Sequence, residues 1–489
     1  MSIQPYIGDE AVEQYCDDSI IPAYAEAKKP LDRYYADWPA RAVYDHGVGN
    51  LSWAASCAKH LRECRDALGL PKPPLPPWPM PSGDVKLVGR MFADDSGPFL
   101  ALGKSLFWAW QGMVHEPERV GENVRWLRSH GVQAVRVLSE TTDWAVEKNR
   151  CDPRTPEWKP AGHALFAVCA SVGMRISLTL FGGNQLTFGE QRQATLDALD
   201  ICEAWREQVF DIEISNEAQG FLSPEGINEM RALADLVTAR GFLVSLTSVD
   251  HQKGINDGSN VPIGTIHPDR TYGENGWRYV RQPWGYYNDY GQVPKAWVNR
   301  EPCGIGSSGC FDDDPVRQAG AAILSWMIGA GMYVIHTGAG VYGVPNPVSA
   351  TNQATGKGET LMRPANVWEQ PTLEPMLRII AEFRNKLPSG VANWERQNHG
   401  WPGHPCNVEP HTVGDDALAA NLGCTRAYAA THGTNWVCLP IGIMGHMTLA
   451  PKQGETWTCW TPSPDGSVLT RLDGQGATET QPPFALLEH

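Results

Sequence analysis

No stretch of this 489-residue sequence approaches the ~20 consecutive apolar residues that a membrane-spanning helix needs. The first ten residues, Met-Ser-Ile-Gln-Pro-Tyr-Ile-Gly-Asp-Glu, have neither a basic start nor an apolar core, so no signal peptide is expected. Cytoplasmic synthesis follows, with release by lysis or inside a virus particle as the routes out. Basic runs are missing too: Lys and Arg number 40 against 55 Asp and Glu, a net charge of −15. That balance repels phosphate backbones and anionic bilayers, so nucleic acid and membrane are not expected partners. The 12 cysteines form no Cys-x-x-Cys pair and have no histidines at ligand spacing, which argues against zinc and for reduced, buried thiols. No metal and no other cofactor is expected.

What is present suits a large globular chain. Apolar residues make up 42% and charged residues 19%, enough to build a sizeable core, and the length calls for more than one domain. The 19 Trp and 14 Tyr offer flat apolar faces on which sugar C-H surfaces stack, although core packing must account for most of them. A neutral carbohydrate is the partner that fits both the aromatics and the acidic balance.

Residues 1–70 read as a helical region, with Leu51, Ala54, Ala58 and Leu61 at helical spacing and Gly69 and Pro71 as a stop. Seven prolines between 71 and 81 then make a linker, assigned to 71–84. A hairpin is expected from Lys86, turning at Asp94-Asp-Ser-Gly97. Strand-like runs follow at 105–108, 134–138, 175–181, 210–215, 243–247, 263–266, 296–299 and 332–335, interleaved with helical patterns. Ser223-Pro224-Glu225 and Asp314-Pro315 are helix starts, Gly241 is a stop, and 373–387 reads as the eighth helix. The interval 247–263 carries no helical pattern, so one helix is expected to be missing. Eight alternating units over 85–388 predict an α/β fold, a (β/α)8 TIM barrel. Short strands separated by turns at His432-Gly433, Pro464-Asp465-Gly466 and Asp473-Gly474 predict a small antiparallel β-sandwich over 389–489.

Two of these runs end in glutamate: Phe-Asp-Ile-Glu-Ile-Ser-Asn-Glu ends at Glu217 and Ala-Trp-Val-Asn-Arg-Glu ends at Glu301. They close the fourth and seventh strands, and barrel strand ends converge on one mouth. Retaining glycoside hydrolysis needs two carboxyls about 5 Å apart, one protonated to assist the leaving group and one ionised to attack the anomeric carbon. Glu217 is the expected acid/base, its acidity weakened by apolar walls and a neighbouring carboxylate, and Glu301 is the expected nucleophile.

Ser-Asn-Glu-Ala (215–218) and Asn-Arg-Glu-Pro (299–302) resemble the clan A glycoside hydrolases, retaining barrels with an Asn-Glu pair after strand 4 and a nucleophilic Glu ending strand 7. The resemblance spans about residues 100 to 390. It implies that Arg136, in Ala-Val-Arg-Val-Leu, keeps the nucleophile ionised, that Asn216 donates to the sugar 2-hydroxyl, and that His267 contacts nucleophile or substrate. The segment 329–343, Gly-Ala-Gly-Met-Tyr-Val-Ile-His-Thr-Gly-Ala-Gly-Val-Tyr-Gly, with the trailing β region, resembles the apiosidase-like, cellulase-like barrels of that clan. This implies His336 and Tyr342 near the substrate. Family 5 cellulases usually carry Trp near this strand end, so their substrate preference is not implied.

Trp108 and Trp110 after the first strand, Trp144 after the second, and Tyr272, Trp277 and Trp284 after the sixth are candidate sugar platforms. Gly304-Ile-Gly306-Ser-Ser-Gly309 matches a dinucleotide fingerprint in letters only, because the helix begins too late and no acidic residue follows at the required distance. Two alternatives stand beside the glycosidase. Glu217, Glu301 and His267 would equally serve as ligands in a metal-dependent sugar isomerase. A glycan-binding or virion-associated structural protein with a silent barrel is the other.

Overall fold

The computed structural model describes residues 80–183, 185–218, 221–247, 261–268, 280, 296–302, 304, 315–343, 362–370, 372–388 and 390–397, and the C-terminal strands between 406 and 488. The expected N-terminal helical region, the proline-rich linker up to residue 79, and Tyr272, Trp277, Trp284 and the interval 248–260 lie outside the described residues.

Three short strands come first, β1 (Lys86–Val88), β2 (Met91–Asp94) and β3 (Gly97–Phe99), paired antiparallel in that order. The expected single hairpin is in fact two, because Gly89 takes a left-handed φ of 62° and folds the first arm back at Gly89-Arg90. Phe92 of β2 then packs with Ala101, Ala134, Phe210, Ile263, Val298, Met332 and Val334, side chains that begin or line the barrel strands. The small sheet thereby closes the bottom of the barrel.

The barrel strands are β4 (Ala101–Ser105), β5 (Ala134–Leu138), β6 (Arg175–Phe181), β7 (Val209–Ser215), β8 (Val244–Ser245), β9 (Ile263–Ile266), β10 (Ala296–Asn299) and β11 (Ala330–Ile335). They are parallel and ordered β8-β7-β6-β5-β4-β11-β10-β9, a nearly closed ring. No ladder joins β8 to β9; instead the Thr265 hydroxyl donates to Thr247 O at 2.8 Å across the seam. The first barrel strand lies earlier than the expected 105–108. Gly103 and Lys104 disguise it as a turn, yet both are buried, and a methyl at Gly103 would stand 2.2 Å from Met332 Cε.

Around the ring run α1 (Ala109–His115), α2 (Pro117–Ser129), α3 (Trp158–Val172), α4 (Phe188–Ala204), α5 (Pro224–Ala239), α6 (Pro315–Met327), α7 (Gly338–Val341) and α8 (Leu373–Arg384). The expected start at Ser223 holds: Ser223 Oγ accepts from Gly226 N at 3.0 Å with Pro224 opening α5; Thr187 and Glu190 add a capping box on α4. Helix α6 is buried on every side because it sits between β11, α8 and a C-terminal strand.

Beyond the barrel lie two antiparallel sheets. One has six strands: β12 (Glu395–Gln397), β14 (Arg426–His432), β15 (Asn435–Ile441), β20 (Leu486–Glu488), β17 (Thr456–Pro462) and β18 (Leu469–Gln475). The other has three, β13 (Cys406–Glu409), β16 (His446–Leu449) and β19 (Thr478–Thr480). Tyr428, Ala430, Val437 and Leu439 belong to the same apolar cluster as the barrel's helix layer, so the described part of this region shares its core. Cys151, Cys169 and Cys202 are buried free thiols, and Cys438 is buried as well. Among the described residues no helix is long and apolar enough to cross a membrane.

Candidate active site

Glu301 lies just beyond β10, after Arg300, and is buried at the barrel mouth. Its Oε1 accepts from Arg136 Nη1 at 2.6 Å, while Oε2 stands 3.5 Å from both His267 Nδ1 and His336 Nε2. Arg136 comes from the middle of β5 on the inward face, and the alternation of a strand fixes that direction. Both partners are buried, Arg136 fully, so water does not compete for this contact.

Glu217 reaches the same point from the fourth barrel strand. Its side chain is 39% exposed, and Oε1 lies 3.5 Å from His267 Nδ1. One ligand-capable atom from each of Glu217, His267 and Glu301 falls within 4.8 Å of the others. The backbone turns abruptly to achieve this: Glu217 and Ala218 both take left-handed φ, 50° and 52°. Such a conformation costs a non-glycine residue about 1–2 kcal/mol. The Ala218 N–H donates to Thr247 Oγ1 at 2.6 Å, which pins the turn to the end of the next strand.

Beneath the pair lies an ionic layer that the sequence did not announce. Arg136 Nη2 donates to Glu213 Oε2 and to Asn216 Oδ1, both at 2.8 Å, and its Nε donates to Thr179 Oγ1 at 3.2 Å. Arg300 Nη1 donates to Ser177 Oγ at 2.6 Å, Nη2 donates to Asp211, and Nε faces Glu213 Oε1 at 3.2 Å. Burial alone would raise the Glu213 carboxyl, but Arg136 and Arg300, with His267 and the Thr179 hydroxyl, hold it below the ordinary carboxylate range. Arg136 is pushed the other way: Glu213 and Glu301 outweigh its desolvation and raise it. The signal in the sequence was the alternation Asp211, Glu213, Ser215, three polar residues on the inward face of an otherwise apolar strand.

The remaining candidates divide. Asn216 sits at the site, and because a guanidinium only donates, its Oδ1 must face Arg136, which turns the amide NH2 outward as a donor. His336 is buried, with Nδ1 2.9 Å from Ser105 Oγ and its ring edge-on to Phe107 at 5.4 Å. Tyr342 and Trp144 meet edge to face at 6.1 Å beside the same phenylalanine, so Phe107, absent from the sequence-level candidates, is the centre of an aromatic cluster that also covers Arg136 at 4.9 Å. Trp108 and Trp110 are not platforms. They are 1% and 0% exposed, their indole N–H groups donate to Ala339 O and Trp158 O, and Trp110 stacks on Trp158. Both turn away from the mouth because α1 starts at Ala109 and carries them into the helix layer.

Lys104 also bears on the mouth. On β4 it shares the outward face with Leu102 and Leu106, and its Nζ donates to Thr337 Oγ1 at 2.9 Å and Ser105 O at 3.2 Å. It therefore grips the two residues on either side of the Ser105 to His336 contact. Complete burial pushes its amine down to about 7.

No family model matches the chain, and no curated protein matches it. Solved structures do. A glycoside hydrolase family 5 protein from Bacteroides vulgatus superposes with a TM-score of 0.58 at 15% identity, over 83% of this chain and 93% of that one. A second protein from the same organism, described as a putative glycoside hydrolase, gives 0.54 at 10% identity over 83% and 82%. At these identities the likeness establishes the fold alone, a (β/α)8 barrel.

Proposed function

We propose that the chain is a retaining β-glycoside hydrolase that cleaves a β-linked oligosaccharide or polysaccharide by double displacement. The observation that carries this is the pair of carboxylates after the fourth and seventh barrel strands, with oxygens inside 4.8 Å of one another and in contrasting settings. A separation of about 5 Å leaves no room for an attacking water between them and suits direct attack on carbon. Glu301, buried and bonded to Arg136, is the nucleophile. Glu217, half open to solvent, is the acid that protonates the leaving oxygen and then the base that takes a proton from water. Asn216 donates to the hydroxyl next to the anomeric carbon, and His267 and His336 flank the attacking oxygen. The structural neighbours, glycoside hydrolases by description, support this reading through the fold they share with the chain.

Purified protein screened against mannans, glucans, xylans, galactans and pectic glycans, with product sizing, tests it. Release of reducing sugar by wild type, lost in Glu217→Gln and Glu301→Gln, is the expected result; binding without turnover by wild type would favour the silent-barrel alternative. The proximity of Glu217, His267 and Glu301 also favours a second reading, a metal-dependent sugar isomerase. Full hydrolysis in the presence of a chelator contradicts that one.

A further inference from the structure

His267 stands out at the site. It is 4% exposed, and neither ring nitrogen has a hydrogen-bond partner among the described residues. A buried imidazole without a partner is costly unless something occupies the space it faces. What it faces is two carboxylates, Glu217 Oε1 and Glu301 Oε2, each 3.5 Å from Nδ1. That distance is long for a hydrogen bond. Those two distances match the edge of a tetrahedron, since donor atoms bound at about 2.1 Å to a tetrahedral ion stand about 3.4 Å apart; the two carboxylate oxygens lie within 4.8 Å of one another and must draw together to complete it.

The charge agrees with the spacing. Glu301 gives Oε1 to Arg136, and its Oε2 stands 3.5 Å from both His267 Nδ1 and His336 Nε2. Three buried carboxylates, Asp211, Glu213 and Glu301, face two guanidiniums, Arg136 and Arg300, and Glu217 adds a fourth carboxylate beside His267. Two negative charges remain when His267 is neutral and all four acids are ionised, and a divalent cation cancels them. One imidazole nitrogen and two carboxylate oxygens are a zinc-type donor set with a fourth position left for water.

We propose that Glu217, His267 and Glu301 form a binding site for a divalent transition ion of zinc type, and that its occupancy switches the enzyme off. The second half rests on the glycosidase reading above. An ion on this site takes the lone pair Glu301 needs for attack and requires Glu217 to give up the proton it would hand to the leaving group. Metal and sugar therefore compete for the same two side chains, and inhibition is reversed by a chelator.

The test is calorimetric titration of zinc chloride into chelator-treated, dialysed full-length protein. Wild type is expected to bind one equivalent tightly. His267→Gln and Glu217→Gln are each expected to weaken that equivalent by at least ~10-fold. Glu217 is 39% exposed, so its substitution leaves the core intact even if the histidine variant folds poorly. Cobalt(II) in place of zinc should give the intense visible bands of four-coordination, and weak six-coordinate bands would contradict the site. Zinc bound equally well by wild type and both variants would belong to surface histidines and would overturn the proposal. Hydrolysis that is unchanged by saturating zinc, or raised by it, would overturn the switch. Absent hydrolysis in chelator with zinc binding intact would instead sink the glycosidase reading and leave the site standing.

Discussion

Replacing Arg136 probes how the barrel interior supports the chemistry. Arg136→Met removes four donated hydrogen bonds at once, to Glu301 (2.6 Å), Glu213 and Asn216 (2.8 Å each) and Thr179 (3.2 Å), while keeping much of the side-chain volume. Glu213 retains Arg300 at 3.2 Å, so only Glu301 is left as a buried carboxylate without its cation. Breaking one buried pair from one side costs about 3–5 kcal/mol, and because the second carboxylate keeps a partner this cost applies once. Arg136→Lys keeps the charge but not the fork, so about half of that loss is expected. Urea unfolding followed by circular dichroism measures it as a lower midpoint at unchanged slope. A methionine variant within about 1 kcal/mol of wild type, the value of an ordinary exposed pair, would refute the view that this network is buried and obligatory.

Other expectations follow from neighbouring contacts. Between about pH 7 and its ordinary value of 10.5, Lys104 binds a proton in the unfolded chain but not in the folded one, so stability should rise with pH across that window. Denaturant titrations comparing wild type with Lys104→Met should show the difference, a slope of at most about 1.4 kcal/mol per pH unit above pH 7 and none below it. Thr247→Val deprives the Ala218 N–H of its acceptor. It should cost about 1–3 kcal/mol in unfolding experiments and lower kcat more than it raises KM, since the strained turn at Glu217 loses its tether. Gly340→Ala places a methyl 1.9 Å from Ser105 O and 2.5 Å from Lys104 Nζ, so the variant should melt several degrees lower and lose activity as α7 is pushed off the end of β4.

The barrel was legible because parallel strands buried on both faces read as apolar runs, and because Ser223-Pro224 and Gly241 punctuate the helix between them with ordinary capping chemistry. β4 was misplaced for a physical reason: its inward glycine exists to admit Met332 and its outward lysine is buried without a carboxylate, so neither follows composition rules. The two catalytic candidates were visible as strand-end glutamates, and Arg136 as a charge within a strand. Trp108 and Trp110 were misjudged because an aromatic after a strand is equally able to lead a helix into the core. Phe107, Arg300 and Glu213 escaped notice since their roles lie in pairwise contacts between distant strands. Arg300 shows this most plainly: it precedes Glu301 in sequence yet binds Asp211 and Ser177 on the far side of the ring.

The most direct test of the central claim is to find where a sugar becomes attached. Wild-type protein incubated with activated fluoro-glycosides, whose second displacement is slow, should gain the mass of one glycosyl group, and peptide mapping should place it on Glu301. An adduct on Glu217, or hydrolysis with inversion and no adduct, would contradict the account.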